Sequence, residues 1–102
     1  MARPVIDKLT VADRRLAMAG LAGWREVDGR DAIAKDFLFA DFNAAFGWMS
    51  RVALLAEKID HHPEWFNVYN RINVILATHE AGGVTTRDIT MAEAMNAYAE
   101  GN

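Results

Sequence analysis

All three histidines of the chain, His61, His62 and His79, fall in one short segment. Four carboxylates, Glu57, Asp60, Glu80 and Asp88, lie close by in sequence. Imidazole has an unperturbed pKa of about 6.5, so it both gives and takes protons near neutral pH. The grouping therefore points to general acid-base chemistry. Glu57 stands four residues before His61, one helical turn away, where it can orient that ring. Trp65 offers an apolar wall for a flat heterocycle. With no cysteine in the chain, a cysteine nucleophile, a thiolate zinc site and a disulfide scaffold are excluded together. Three histidines and Glu57 match a zinc site in number. Their spacing departs from the helical H-E-x-x-H pattern, and adjacent histidines converge poorly on one ion, so neither metal nor cofactor is expected.

These side chains act together only if the fold gathers them. His61 and His62 precede one strand, about Trp65 to Val68, and His79 follows another, about Arg71 to Thr78, with Tyr69-Asn70 near the turn between them. Paired as a hairpin, the start of the first lies beside the end of the second, which brings the histidines together. In the second of these strands Ile72, Val74 and Leu76 face one way, and Arg71, Asn73, Ile75 and Ala77 the other.

An earlier hairpin is read in the same way. Gly23 to Val27 forms a short strand, Asp28-Gly29 gives a tight-turn signal, and the chain returns over about Asp31 to Phe39. Here Ile33, Lys35, Phe37 and Phe39 share one face, opposite Ala32, Ala34, Asp36 and Leu38. Three helices complete the order. The first covers about Val11 to Gly20 behind a Thr10 cap, with residues 1–8 as a loose arm before it. The second starts at Asp41 or Asn43, runs to about Ile59 and is barred from continuing by Pro63. Gly82-Gly83 is a loop, and Thr85-Thr86-Arg87-Asp88 caps a last helix ending near Ala99, with Ile89, Ala92, Met95 and Ala99 toward one face. Helix, hairpin, helix, hairpin, helix predicts an α+β fold, a four-stranded antiparallel sheet with three helices packed on one face.

The second helix carries more apolar surface than one sheet covers. Its members, from Phe42, Ala45 and Phe46 through Trp48, Met49 and Val52 to Leu55 and Ile59, fill an arc of about 200° at about 100° per residue. A stripe only somewhat wider than about 100° suffices against a single sheet. The excess predicts contact with another subunit, and Leu54, alone among Asn43, Gly47, Ser50 and Lys58, marks a helix-to-helix contact together with Leu55. Trp24, Trp48, Phe42, Phe46 and the methionines read as core or interface.

Composition sets the outer limits. A chain of 102 residues, 52% hydrophobic and 25% charged, reads as one globular domain spanning 1–102. Its net charge of −3 argues against direct nucleic-acid binding, which demands excess Lys and Arg. No apolar run approaches the roughly 20 residues that span a bilayer. The N-terminus lacks the apolar stretch of a signal peptide, and a cytoplasmic location is expected.

The whole segment carries a closer signal. Glu57-x-x-x-His61-His62-Pro63, then Tyr69 after five residues, His79 after nine more and Asp88 after eight more, resembles the signature of the pterin-4a-carbinolamine dehydratases. Asp41-Phe42-Asn43-x-Ala45-Phe46-Gly47, Arg51-Val52-Ala53-Leu54, the run from Pro63 to Asn70 and Thr78-His79-Glu80 are similar to that family too. So are Gly23-Trp24 and Gly29-Arg30-Asp31-Ala32-Ile33, and the likeness spans residues 23–95. The resemblance implies the same fold and a lyase that removes water from 4a-hydroxytetrahydropterin in tetrahydrobiopterin recycling. It implies His61, His62 and His79 as the catalytic cluster, Glu57 in support, and pterin contacts from Asp60, His61 and His62 and from Ala77, Thr78, His79 and Glu80, with Trp65 and Asp88 beside them. His61 and His79 are the expected proton-transfer groups, and His62 mainly holds the pterin. The resemblance further implies a homodimer joined edge to edge by its sheets, or a homotetramer in which long helices also pack. An alternative role is a dimerisation cofactor or transcriptional coactivator that uses the long-helix surface.

Overall fold

The computed structural model describes residues 6–101. Along the chain stand α1 (Val11–Ala19), β1 (Arg25–Glu26), β2 (Ile33–Leu38), α2 (Phe42–Ile59), β3 (Glu64–Val68), β4 (Arg71–Leu76), a 3-10 turn (His79–Ala81) and α3 (Thr86–Glu100). The strands form one antiparallel sheet in the order β1-β2-β4-β3. This is the α+β architecture expected, an open sheet with three helices. Of the arm expected over 1–8, residues 1–5 lie outside those described, while Lys8 sits 3.6 Å from the Asp31 carboxylate.

The core follows from the alternation of β2 and β4. Ile33 pairs with Leu76 and Phe37 with Ile72, so the buried side chains of the two central strands share one face. Against them pack Trp48 and Val52 of α2 and Met91, Ala92 and Met95 of α3. Burying each large apolar side chain contributes about 2 kcal/mol. Trp48 is the hub: its ring lies 4.5 Å from that of Phe37, and its Nε1 donates to the Met95 carbonyl at 3.0 Å. Lys35 shares the covered face with Ile33 and Phe37. Burial pushes its ammonium pKa down, and Nζ donates to Ala22 O and Asn96 Oδ1, both at 2.8 Å. Gly23 lets the chain pass this lysine, since its φ of +83° favours glycine and a Cβ there would meet the Lys35 stem.

The first hairpin differs from expectation. The two-residue turn at Asp28-Gly29 is instead a loop closed by Val27 N–H on Ala32 O, and the paired part of β1 shrinks to two residues. Asp31 is drawn out of the strand because its Oδ1 accepts from Arg14 Nη1 and from the Val84 N–H. That clasp ties α1 to the loop before α3, a long-range demand that outweighs local turn preference.

On α2 the buried residues are Ala45, Trp48, Val52 and Ala56, a narrow stripe behind the Asp41 cap. Much of the remaining apolar arc faces outward: Phe42 is 48% and Phe46 56% exposed, their rings 5.8 Å apart, and Leu54 is 74% exposed. Leu55 is only partly buried. On α3 Met91, Ala92 and Met95 are buried with Asp88 in the same row, and Ile89 and Ala99 pack against this core partly buried.

Candidate active site

Three element ends converge where β3 begins and β4 finishes. The pairing of Glu64 with Ile75 sets His61-His62 beside the segment that follows β4, as the hairpin argument requires. Asp60, His61, His62, Ala77, His79 and Glu80 enclose a polar hollow of about 150 Å³.

The end of α2 decides which histidine points where. Asp60 takes the left-handed conformation, φ 51°, and the His61 N–H returns to the Ala56 carbonyl at 3.0 Å, a bond that closes a Schellman-type turn. The helix thus stops before His61, and the four-residue relation between Glu57 and His61 is lost. Glu57 lies instead by His62, Oε2 to Nε2 3.4 Å, with both side chains mostly exposed. The expectation that Glu57 orients His61 is corrected on this ground.

His61 turns inward and is 5% exposed. Its Nε2 lies 2.7 Å from Asp88 Oδ1. The other oxygen of Asp88 accepts from the Thr85 N–H at 2.9 Å and from the Thr78 hydroxyl at 2.8 Å. Thr78 in turn lies 2.6 Å from the Thr85 hydroxyl. Thr85 and Asp88 form the reciprocal capping box of α3 anticipated from their spacing. Asp88 therefore does two jobs with one carboxylate, closing a helix end and fixing a ring. An ionised carboxylate only accepts, which assigns the proton to His61 Nε2 and leaves Nδ1 as the acceptor of the neutral ring. No buried side-chain nitrogen or oxygen among the described residues lacks a partner.

His79 is exposed and opens the 3-10 turn. The turn is pinned at both ends. Gly82, with φ 73°, returns its N–H to His79 O at 3.1 Å, and Thr78 N–H meets Gly83 O at 2.9 Å. Such anchoring fixes the backbone that carries the exposed imidazole.

Of the residues expected to touch a ligand, Asp60, His61, His62, Ala77, His79 and Glu80 line the hollow. Thr78 and Asp88 lie fully buried behind it as support. Trp65 does not join them: it turns toward the helices, its ring 6.2 Å from Trp48. Strand alternation, which sends Trp65 and Phe66 to opposite faces, makes it a core-edge residue. Sequence reasoning passed over a second hollow of about 180 Å³, which shares Ala77 and His79 and is otherwise walled by Arg30, Asp31, Thr78, Gly82 and Gly83. Arg30 arrives there from the β1–β2 loop, far away in sequence, and only the Gly29-Arg30-Asp31 run points to it. Among the described residues, no three His, Cys, Asp or Glu gather so as to hold a metal ion.

Two surface ion pairs brace the rim. The Arg14 hydrogen bond holds the Asp31 carboxyl below the ordinary carboxylate range, and the Arg30 fork does the same for Glu64. A carboxyl with a depressed folded-state pKa contributes stability that is present above its unfolded pKa and lost as the pH falls through the folded value. The melting temperature is therefore expected to hold from pH 7 to about 5 and to decline below about 4. The Arg30–Glu64 pair is solvent-exposed and contributes within about 1 kcal/mol, while the Arg14–Asp31 pair is part-buried. Glu64→Gln should make the acid decline shallower. Melting curves across this range check it; a wild-type midpoint that rises on acidification would contradict it.

The arrangement as a whole is an antiparallel sheet, backed by helices, that presents three histidines around one polar hollow. The chain belongs to the pterin 4 alpha carbinolamine dehydratase family, whose model matches residues 7–98. It is 62% identical over 95 residues to a provisionally named pterin-4-alpha-carbinolamine dehydratase from Rhodopseudomonas palustris strain HaA2, covering 93% of this chain and 94% of that one. A protein given the same provisional name in Nitrobacter hamburgensis is 62% identical over 93 residues, 91% of this chain and 92% of the relative. The crystal structure of a transcriptional coactivator/pterin dehydratase from Brucella melitensis matches with a TM-score of 0.89 at 56% identity, over 91% of this chain and 99% of that one. A pterin dehydratase-like RuBisCO assembly factor of the alpha-carboxysome shares the fold alone, with a TM-score of 0.65 at 22% identity, over 76% of this chain and 89% of that one. Among the described residues no helix is long and apolar enough to cross a membrane.

Proposed function

We propose that the chain, as one unit, dehydrates 4a-hydroxytetrahydropterin to quinonoid dihydropterin and water by histidine acid-base catalysis, as a step in tetrahydrobiopterin recycling. The observation that carries this reading is the buried Asp88–His61 pair at the wall of a hollow that His62 and His79 also line. The N5 lone pair of the substrate expels the C4a hydroxyl as one histidine protonates it, and a base removes the N5 proton. Both events are proton transfers, so the residue types suffice without a covalent nucleophile. His61 and His79 are the proton-transfer groups. His62, with Glu57 beside it, holds the pterin, and Asp60, Ala77 and Glu80 shape the walls.

Because the chain has only three histidines, their imidazole NMR signals report on the site alone. A dihydropterin, as a product-like ligand, is expected to shift all three in a saturable titration. Signals unmoved at saturating ligand would contradict the assignment.

A second reading, a protein-binding coactivator role, is favoured by the name of the Brucella melitensis protein and by the exposed Phe42, Phe46 and Leu54 on α2. The same surface supports self-association. Among the described residues the edge strands of the sheet, β1 and β3, are each paired on one side only, and β3 is the longer; unpaired edges invite strand pairing. The chain is expected to form a dimer through β3, or a tetramer in which α2 helices also meet. Leu54→Glu should lower the mass seen by light scattering while each subunit keeps its dehydration rate. A wild-type monomer at micromolar concentration would contradict self-association, and an unchanged mass for Leu54→Glu would move the contact elsewhere, with Phe46→Glu as the next variant.

A further inference from the structure

Two exposed aromatic side chains of the β3–β4 hairpin have no part in the site of a single chain. Tyr69, on the turn, is 61% exposed and takes a φ of 52°, a left-handed conformation unusual for an aromatic residue. Phe66, at the middle of β3, is 66% exposed. We propose that two β3 edges pair about Phe66 and that Tyr69 of each copy completes the active site of the other, as an aromatic wall for the pterin beside His62. This rests on the pterin reading above.

The register follows from the hydrogen bonds of the sheet. Phe39 N–H donates to Asn70 O, so the even-numbered residues of β4 bond to β2 and the odd-numbered ones to β3. Their β3 partners, Glu64, Phe66 and Val68, turn their backbone groups inward, and Trp65 and Asn67 turn theirs to the open edge. A second copy related by a twofold axis meets this edge antiparallel, with one residue opposite itself. Centred on Trp65, the pairing sets Asn67 against Pro63, which has no N–H to give. Centred on Asn67, it sets Trp65 against Tyr69, which has left the extended conformation. Centred on Phe66, it joins Trp65 to Asn67 twice with every donor matched, and it covers Phe66 with its own copy.

That register decides where the turn arrives. Val68 of the second copy lies against Glu64, and Tyr69 against Pro63, next to His62. Paired residues stand about 5 Å apart, and aromatic side chains reach neighbours about 7–8 Å away. The ring therefore comes up beside His62, whose side chain is 54% exposed. Its backbone is held, since Asn67 Nδ2 donates to Tyr69 O at 3.2 Å and to Arg71 O at 3.0 Å. Within one chain the hollow is walled by Asp60, His61, His62, Ala77, His79 and Glu80, none of them Phe, Tyr or Trp, because Trp65 turns to the core. A flat heterocycle gains from an aromatic face. Tyr69 supplies that face, with a hydroxyl at its tip that both donates and accepts.

The test separates the two halves of the shared site. Tyr69→Asn removes the ring but suits the left-handed turn, and it should raise KM about threefold to tenfold with kcat little changed. Co-produced with an excess of His79→Ala chain, which keeps Tyr69 and has little activity of its own, the Tyr69→Asn chain should regain the wild-type KM. An unchanged KM for Tyr69→Asn overturns the proposal. So does a raised KM that the added chain leaves raised, since Tyr69 then acts within its own chain. Phe66→Glu, which keeps the histidines and Tyr69, decides by itself if Tyr69→Asn does not fold. It should lower the mass seen by light scattering and raise KM to the same extent; an intact assembly overturns the register, and a smaller one with wild-type KM overturns the shared site. No acceleration by the wild type would instead overturn the dehydratase reading.

Discussion

Replacing both His61 and His79 by alanine is expected to return dehydration to its uncatalysed rate. A positioned acid or base typically contributes about 10²- to 10⁴-fold, so each single variant should lose on the order of a hundredfold and the pair nearly everything. The two positions differ in what else they do. His79 is exposed on a pinned turn, and its loss should leave the melting temperature almost unchanged. His61 is buried against Asp88, so alanine there leaves a small void and a carboxylate oxygen without its partner. That costs about 2 kcal/mol, and rates should be read well below the midpoint of the variant. His61→Gln, closer in size, keeps the two effects apart. A folded double variant with wild-type rates would remove these residues from the mechanism.

Asp88→Ala is expected to be the most damaging single change to the fold. The side chain is fully buried and serves His61, Thr78 and the Thr85 N–H. Each buried donor left without its acceptor costs about 1–3 kcal/mol, and a domain of this kind has only about 5–15 kcal/mol to lose. Asp88→Asn separates architecture from catalysis. Its carbonyl can still accept at the cap, but its amide faces His61 with a donor, so the ring must take the other tautomer. Most of the stability should survive, while activity falls and its pH profile moves. Chemical denaturation and pH-rate curves for the two variants check this. An asparagine variant with the wild-type profile would show that Asp88 acts only as a helix cap.

Much of this was legible in sequence because local chemistry and the global fold agree. The alternation of Ile72, Val74 and Leu76 gave β4 its buried face, the Asp41 cap opened α2, and the Thr85–Asp88 box opened α3. Topology did the rest for the histidines: any tight β3–β4 hairpin brings His61 and His79 together. What escaped depends on contacts distant in sequence or on one backbone conformation. The left-handed Asp60 ends α2 before His61, in a residue less usual at that position than glycine, and it reassigns Glu57 to His62. Trp65 was counted for its ring and not for its strand parity, which turns it to Trp48. Asp31 leaves β2 for Arg14 and Val84, which no turn propensity records. Arg30 enters the neighbourhood of His79 only through the third dimension.

The most direct test of the central claim is a stopped-flow measurement on freshly generated 4a-hydroxytetrahydropterin, with the appearance of quinonoid dihydropterin followed with and without the protein. The rate is expected to rise in proportion to wild-type protein and to stay at the spontaneous value with the His61→Ala/His79→Ala double variant. A wild-type trace that overlays the protein-free trace would contradict the dehydratase assignment.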